Sequence, residues 1–291
     1  MTNIVSFGEV LFDVFPEKEI PGGAPMNVAY HLNQLGSKCH FISSVGNDEL
    51  GNKLKDFLLS KGLQTDFIQT KSNYETGQVL VTINNEDVSY EIAFPAAWDF
   101  IDSDEHNVEL VKNSDLLLFG SLACRNEKSF STLKTLISNS KKNAFDINIR
   151  PPHYNWKTLE FLIEKSDILK INEVEIEMLK MHFKIKETEI EEVLKWLSLK
   201  FNIETILCTL GALGAVVLTN GKYYTCQIEP IKSVDPVGAG DSFFAAFMHF
   251  SQKGFEPQKS LELACKMGRT VAGMHGATPS ISENQILANE N

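Results

Sequence analysis

The chain predicts an α/β fold: a mostly parallel central sheet flanked by helices on both faces. Three observations carry that expectation. Short apolar runs of strand length recur at residues 3–8, 39–45, 115–119, 143–147, 167–171 and 205–209. Helical patterns fall between them, clearest at 173–181 and 190–200. Repeated strand–helix order favours parallel pairing, and parallel strands are covered on two sides. At 291 residues and 43% apolar content, the chain can fill one large core and still carry an appendage.

Taken in order, residues 3–8 form a strand ending at Gly8, and apolar positions continue at Val10, Leu11, Phe12, Val14 and Phe15. Pro21-Gly22-Gly23 breaks the chain. Residues 24–35 read as a helix stopped by Gly36, and 39–45 as a strand. Asn47 or Asp48 then caps a helix that Gly62 closes. The middle differs in character. Residues 78–84 and 88–94 are β-rich runs joined by Asn84-Asn85-Glu86-Asp87, which reads as a hairpin. A hairpin inserted into strand–helix alternation is an expected flap or lid. Beyond Gly211, residues 215–219 and 223–228 pair around Asn220-Gly221. Helices are expected at 241–250 and 261–275, with a short helix and a frayed end at 282–291.

Composition excludes several classes. Net charge is −11, and the three arginines, Arg125, Arg150 and Arg269, belong to no basic run, so a nucleic-acid partner is not expected. The acidity does not bar an anionic ligand, which a small local cluster can hold. Five scattered cysteines without a Cys-x-x-Cys read as reduced core thiols of a cytoplasmic protein, not as a disulfide frame or zinc site. No signal segment is recognisable, and no apolar stretch approaches the roughly 20 residues that span a bilayer.

Chemistry concentrates in Asp235-Pro236-Val237-Gly238-Ala239-Gly240-Asp241, which precedes the apolar helical run Ser242-Phe243-Phe244-Ala245-Ala246-Phe247. Small residues let the backbone at 238–240 approach an anion, and the free N–H groups of a helix start would point at it. Asp241 beside such an anion hole could take a proton from an attacking hydroxyl, or could simply cap a buried helix. The residues alone leave these two readings even. The familiar phosphate loops Gly-x4-Gly-Lys-Ser/Thr and Gly-x-Gly-x-x-Gly are missing, which argues against a dinucleotide-binding oxidoreductase.

Motifs in this order resemble the ribokinase-like (PfkB) carbohydrate kinases along almost the whole chain, and fructokinases most. Gly22-Gly23-Ala24-Pro25-Met26-Asn27-Val28-Ala29 is similar to that family's sugar-binding signature, and residues 235–241 to its catalytic signature. Pro236-Val237 stands where the familiar form has Thr-Thr, a departure that bears on cation binding rather than catalysis. The resemblance implies one ribokinase-like α/β domain over 1–291, with a small β-sheet lid from about 10–21 and 76–98. It implies that Asp13, Gly22, Gly23 and Asn27 hold sugar hydroxyls, that Asp241 is the general base, and that the backbone of Gly238, Ala239 and Gly240 steadies the phosphates. Asn172-Glu173-Val174-Glu175 matches the family's Asn-x-x-Glu, so Asn172 and Glu175 would hold Mg²⁺ through waters; read alone, they cap a helix. Thr209, Gly211 and Gly214 match the nucleotide-side loop. Ala272, Gly276, Ala277 and Pro279 resemble the adenine pocket and monovalent-cation region, with Asp235 as a ligand of that cation, which would be K⁺.

Asp146-Ile147-Asn148-Ile149-Arg150 resembles the Asp-x-Asn-x-Arg of fructokinases, with Trp156 close behind. It makes Arg150 a candidate to grip a sugar hydroxyl or the transferring phosphate. Phe94 and Trp98 would pack on the sugar's apolar face or fill the lid–domain interface. The implied partners are ATP and a sugar, most readily D-fructose giving fructose 6-phosphate, and the lid could serve a homodimer. Ribokinase, another PfkB sugar or nucleoside kinase, and a sugar-binding regulator without catalysis are the alternatives.

Overall fold

The computed structural model describes residues 2–84, 87–229, 231 and 233–288. The chain begins with β1 (Asn3–Phe7), then β2 (Leu11–Phe15), β3 (Lys18–Gly22), α1 (Ala24–Gln34), β4 (Lys38–Gly46), α2 (Glu49–Ser60) and β5 (Ile68–Lys71). The hairpin β6 (Gly77–Asn84) and β7 (Asp87–Ile92) precedes α3 (Glu105–Lys112), β8 (Leu116–Gly120), α4 (Glu127–Ile137), β9 (Asn143–Asp146) and α5 (Trp156–Glu164). After β10 (Ile168–Asn172) come α6 (Glu173–Phe183), α7 (Ile190–Phe201), β11 (Thr205–Thr209), β12 (Gly214–Thr219) and β13 (Lys222–Gln227). The chain finishes with α8 (Ala239–Gln252), α9 (Pro257–Ala272) and α10 (Glu283–Leu287).

The main sheet has the order β13-β12-β11-β10-β9-β8-β1-β4-β5. It is parallel from β5 to β11, with β12 and β13 added antiparallel at one edge. Its strands alternate between two cores. Leu116 and Leu118 of β8 join the cluster under α1, α8 and α9, while Leu117 and Phe119 join the one under α4 to α7. Helices on both faces thus follow from strands apolar at every position. Among the described residues, no helix is long and apolar enough to cross a membrane.

A second sheet, β3-β2-β6-β7, supplies the expected appendage. It differs from the sequence expectation at β3, where the chain pairs through Pro21 and Gly22 before breaking at Gly23. β3 is an edge strand, so the N–H that Pro21 lacks need not be missed in the ladder. Of the expected hairpin turn, Asn85 and Glu86 lie outside the described residues, as do 289–291 of the tail. Two elements carried no clear signal: β5 is short and only partly buried at the sheet's far edge, and α9 starts four residues early, with Pro257 in its first turn.

Register places one line of strand ends together. Phe7 pairs with Phe119, Gly120 with Asp146, Asp146 with Lys170, and Asn172 with Thr209. The chain runs outward from β1 in one direction through β4 and from β8 in the other. The crevice between the carboxyl ends of β1 and β8 is therefore the topological switch point, where open α/β sheets collect ligands.

Candidate active site

Two helix starts and one strand crossing build the floor of this crevice. From β1 the chain passes Gly8 and Glu9 into β2, which carries Asp13, and returns along β3. A Cβ on Gly22 would lie 3.0 Å from Asp13 Oδ2, so the Asp13 carboxylate rests over the Gly-Gly turn. Gly23 has φ +120°, and a Cβ there would sit 2.5 Å from the Glu9 carbonyl oxygen. Only glycine allows that crossing, and it aims the first turn of α1 into the crevice. Gly238, at φ +79°, plays the same part for α8, with a Cβ position 2.7 Å from Ala277. α1 packs on α8. Across that contact Asn27 Nδ2 donates to Asp241 Oδ2 at 2.8 Å, joining the two signature motifs although 214 residues separate them.

Charge is dense around this bond. Lys170 donates to both Asp146 carboxylate oxygens, at 3.0 and 2.9 Å, and both residues are buried. Its ammonium also reaches the small-residue loop, lying 3.3 Å from where a Gly240 Cβ would stand. Burial alone would lower the Lys170 ammonium, but Asp146, Glu175 and Asp241 outweigh it and hold it above its ordinary value. Desolvation raises the Asp241 carboxyl; Lys170 pulls it back, Asp146 pushes it up, and the Asn27 bond and Arg150 oppose the rise without cancelling it. Burial likewise raises Asp13, against the charge of Arg150. Glu9 is driven up to about 7 by burial, with Arg150 opposing and Asp241 adding to the rise. Arg150 is exposed at the mouth of the crevice, and its charge reaches Glu9, Asp13 and Asp241 together.

The remaining expected positions follow the same sheet edge. Thr209 ends β11, and Leu210 N–H donates to the Gly214 carbonyl at 2.9 Å over the turn 211–213. Gly211 has φ +56° and lies beside Glu173, at the start of α6. Gly214 meets a local demand, since a Cβ would fall 2.0 Å from the Cys226 carbonyl of β13. The Ala272 carbonyl accepts the N–H groups of Val234 and Asp235, at 2.9 and 3.2 Å. Asp235 Oδ1 accepts from Val237 N–H at 3.0 Å and Oδ2 from Gly276 N–H at 3.1 Å, so this carboxylate ties the loop before α8 to the loop after α9.

A model of the pfkB family carbohydrate kinases matches residues 1–284. The chain belongs to that family. It is 29% identical to the fructokinase of Solanum tuberosum over 314 residues, covering 98% of this chain and 94% of the relative. It is 30% identical to probable fructokinase-5 of Arabidopsis thaliana over 278 residues, covering 84% and 81%. A fructokinase from Vibrio cholerae O395, solved with fructose, ADP and calcium ion bound, superposes with a TM-score of 0.84 at 22% identity over 98% of each chain. A 2-dehydro-3-deoxygluconokinase from Thermotoga maritima does so at 0.85, also at 22% identity over 98% of each chain. At that identity the structural likeness concerns the ribokinase-like fold, which these two share although their names give different sugars.

In this PfkB kinase, Asn172 and Glu175 form a complete capping box. Asn172 Oδ1 accepts from Val174 and Glu175 N–H, and Glu175 Oε2 accepts from Asn172 N–H, each at 2.9 Å. Glu175 Oε1 accepts from Ile149 N–H at 2.9 Å and so pins the segment that carries Arg150. Each carboxylate oxygen keeps a second lone pair, and an oxygen-only donor set suits Mg²⁺ held through water. Phe94 is 59% exposed and stacks under the Arg125 guanidinium. Trp98 is fully buried, so it fills the interface below the small sheet and presents no face to a sugar. Trp156 stacks on His182, at the start of α5.

Sequence reading passed over Lys170 and used Asp146 only as part of a motif. A signal was present: Lys170 interrupts the strand Ile-Leu-Lys-Ile-Asn, where a charge must have a partner to be buried. What it could not supply was the neighbouring strand's register. Arg125 was noted only for its charge. It forms a buried pair with Asp99 through Nε and Nη2, both at 2.8 Å, and also donates to the Ala93 carbonyl at 2.6 Å.

Proposed function

We propose that this PfkB kinase transfers the γ-phosphoryl group of ATP to the 6-hydroxyl of D-fructose, with Asp241 as general base. The observation that carries the chemistry is the Asn27–Asp241 bond at the head of two helix N-termini. Asn27 aims the carboxylate, and desolvation makes it a better proton acceptor than an exposed aspartate. Asp241 takes the proton as the sugar oxygen bonds to the γ-phosphorus, the bond from that phosphorus to the β,γ-bridging oxygen breaks, and ADP leaves. Backbone N–H groups of 238–240 at the start of α8 would steady the phosphates, with Lys170 behind Gly240 adding positive charge. Gly211, Gly214, Ala272 and Gly276 would line the nucleotide's path. Mg²⁺, when bound, neutralises phosphate charge, and Asn172 and Glu175 would hold it through waters. Asp235 would lend an oxygen to a K⁺ shell while tying its loops together.

The choice of fructose is supported by the fructokinase relatives and by local charge. Three carboxylates, Glu9, Asp13 and Asp241, feel the charge of Arg150 on the sugar side, and Lys170 adds its charge at Asp241 alone of the three. Such a balance favours a neutral polyol over a sugar acid or sugar phosphate. The small sheet would close over the sugar and exclude water, which otherwise competes as acceptor. A coupled ADP-release assay over fructose, ribose, a keto-deoxy-sugar acid and a nucleoside tests the assignment. Fructose is expected to give the highest kcat/KM; strong ribose turnover with negligible fructose turnover would overturn it.

A further inference from the structure

Glu9 is an acidic group of the crevice that neither signature motif contains. It leaves β1 at the switch point, beneath the crossing of Gly23, and is 2% exposed. Its carboxylate is only half used. The backbone N–H groups of Glu9 itself and of Ala24, at the start of α1, bear on it, yet Oε2 is buried with no partner among the described residues. One turn along α1, Asn27 Oδ1 is a second buried acceptor without a donor, although its Nδ2 is engaged by Asp241. Two unfilled buried acceptors in one ligand crevice call for a ligand rich in hydroxyl donors, since buried polar atoms in native structures are almost always paired.

We infer that Glu9 is a further sugar-binding and specificity residue, whose Oε2 accepts a hydrogen bond from a sugar hydroxyl on the side of the crevice facing Arg150 and Asp241. A purely structural Glu9 would cap α1 and need only one oxygen. The unfilled second oxygen separates the two roles. The inference rests on the crevice being a carbohydrate site and not on the sugar being fructose, so it is tested with whichever sugar the wild type turns over.

The test is Glu9→Gln, which keeps one carbonyl oxygen for the Ala24 N–H and replaces the open acceptor with an amide donor. The sugar KM is expected to rise about 10- to 100-fold, the range for a charged hydrogen bond, with the ATP KM unchanged. A pH profile adds a readout that a cap would not move. The charged and titratable groups bearing on Glu9 are Arg150 from the 147–155 loop, Asp241 from α8 and the Cys124 thiol. Only ionised Glu9 can accept at both oxygens, so wild-type kcat/KM for sugar should climb with pH through about 7, and this limb should vanish in the variant. Monodeoxy sugars locate the contact on the unaltered protein. One deoxy analogue should lose as much with the wild type as the parent sugar loses with Glu9→Gln, and combining the two changes should cost little more. Equal rises in both KM values, an unchanged sugar KM with the limb intact, or additive losses for every deoxy analogue would each overturn the inference.

Discussion

Asp241 illustrates how one side chain acquires a role from its surroundings. An aspartate at the third position of a helix is ordinarily a favourable charge near the dipole. Here desolvation raises it, Lys170 and Arg150 restrain the rise, and the Asn27 amide fixes one oxygen, leaving the other for the proton transfer proposed above. Asp241→Asn keeps the shape and the helix while removing the proposed base. Its kcat should fall about 10²- to 10⁴-fold, with the sugar KM little changed, in an ADP-release assay. Retention of full rate would move the base elsewhere. Because burial raises the Asp241 carboxyl, the proton-accepting form is lost as pH falls through a value above the ordinary aspartate range, and the rate should fall with it.

Elements, not single residues, set the geometry around it. The box at the start of α6 engages one carboxylate oxygen of Glu175, and the other reaches sideways to Ile149. One carboxylate thus joins β10, α6 and the loop bearing Arg150. Two N–H groups lose their acceptor in Glu175→Ala, one of them in the buried Ile149, so unfolding stability should drop by about 2–4 kcal/mol in a urea titration. A loss of Mg²⁺-dependent activity at unchanged stability would instead put the residue's whole weight on the metal. The two glycine crossings at 23 and 238 work in the same way, each letting a helix N-terminus reach the crevice at a spacing no side chain would permit.

On the scale of the whole molecule, Arg125 ties the segment after the small sheet to the main domain. Its guanidinium pairs with buried Asp99, holds the Ala93 carbonyl just after β7, and lies 4.0 Å from the centre of the Trp98 ring. A buried pair broken on one side costs about 3–5 kcal/mol, so Arg125→Ala should destabilise the fold, while Arg125→Lys keeps the charge and loses the fork. The lysine variant should remain folded with a raised sugar KM, because the small sheet is no longer held in register with the crevice. Hydrogen exchange gives the direct readout: amides of β2 and β3 should slow on adding sugar in the wild type and respond less in Arg125→Lys. No change in either protein would remove the lid role from this sheet.

The order of apolar runs was enough for the parallel sheet, because a strand covered on both faces must be apolar at every position, as β8 is from Leu116 to Phe119. Small residues before an apolar helix likewise marked Gly238 to Asp241, since only they leave a helix start open to a ligand. Those signals are local, and local chemistry survives in a one-dimensional reading. The partnership of Asn27 with Asp241, the Lys170–Asp146 pair, the double duty of Glu175 and the open oxygen of Glu9 are not local. Each depends on which strand lies beside which and on how closely two backbones cross. Only the tertiary structure decided them, because desolvation and charge pairing act through space, and a carboxylate's surroundings are not written beside it in the chain.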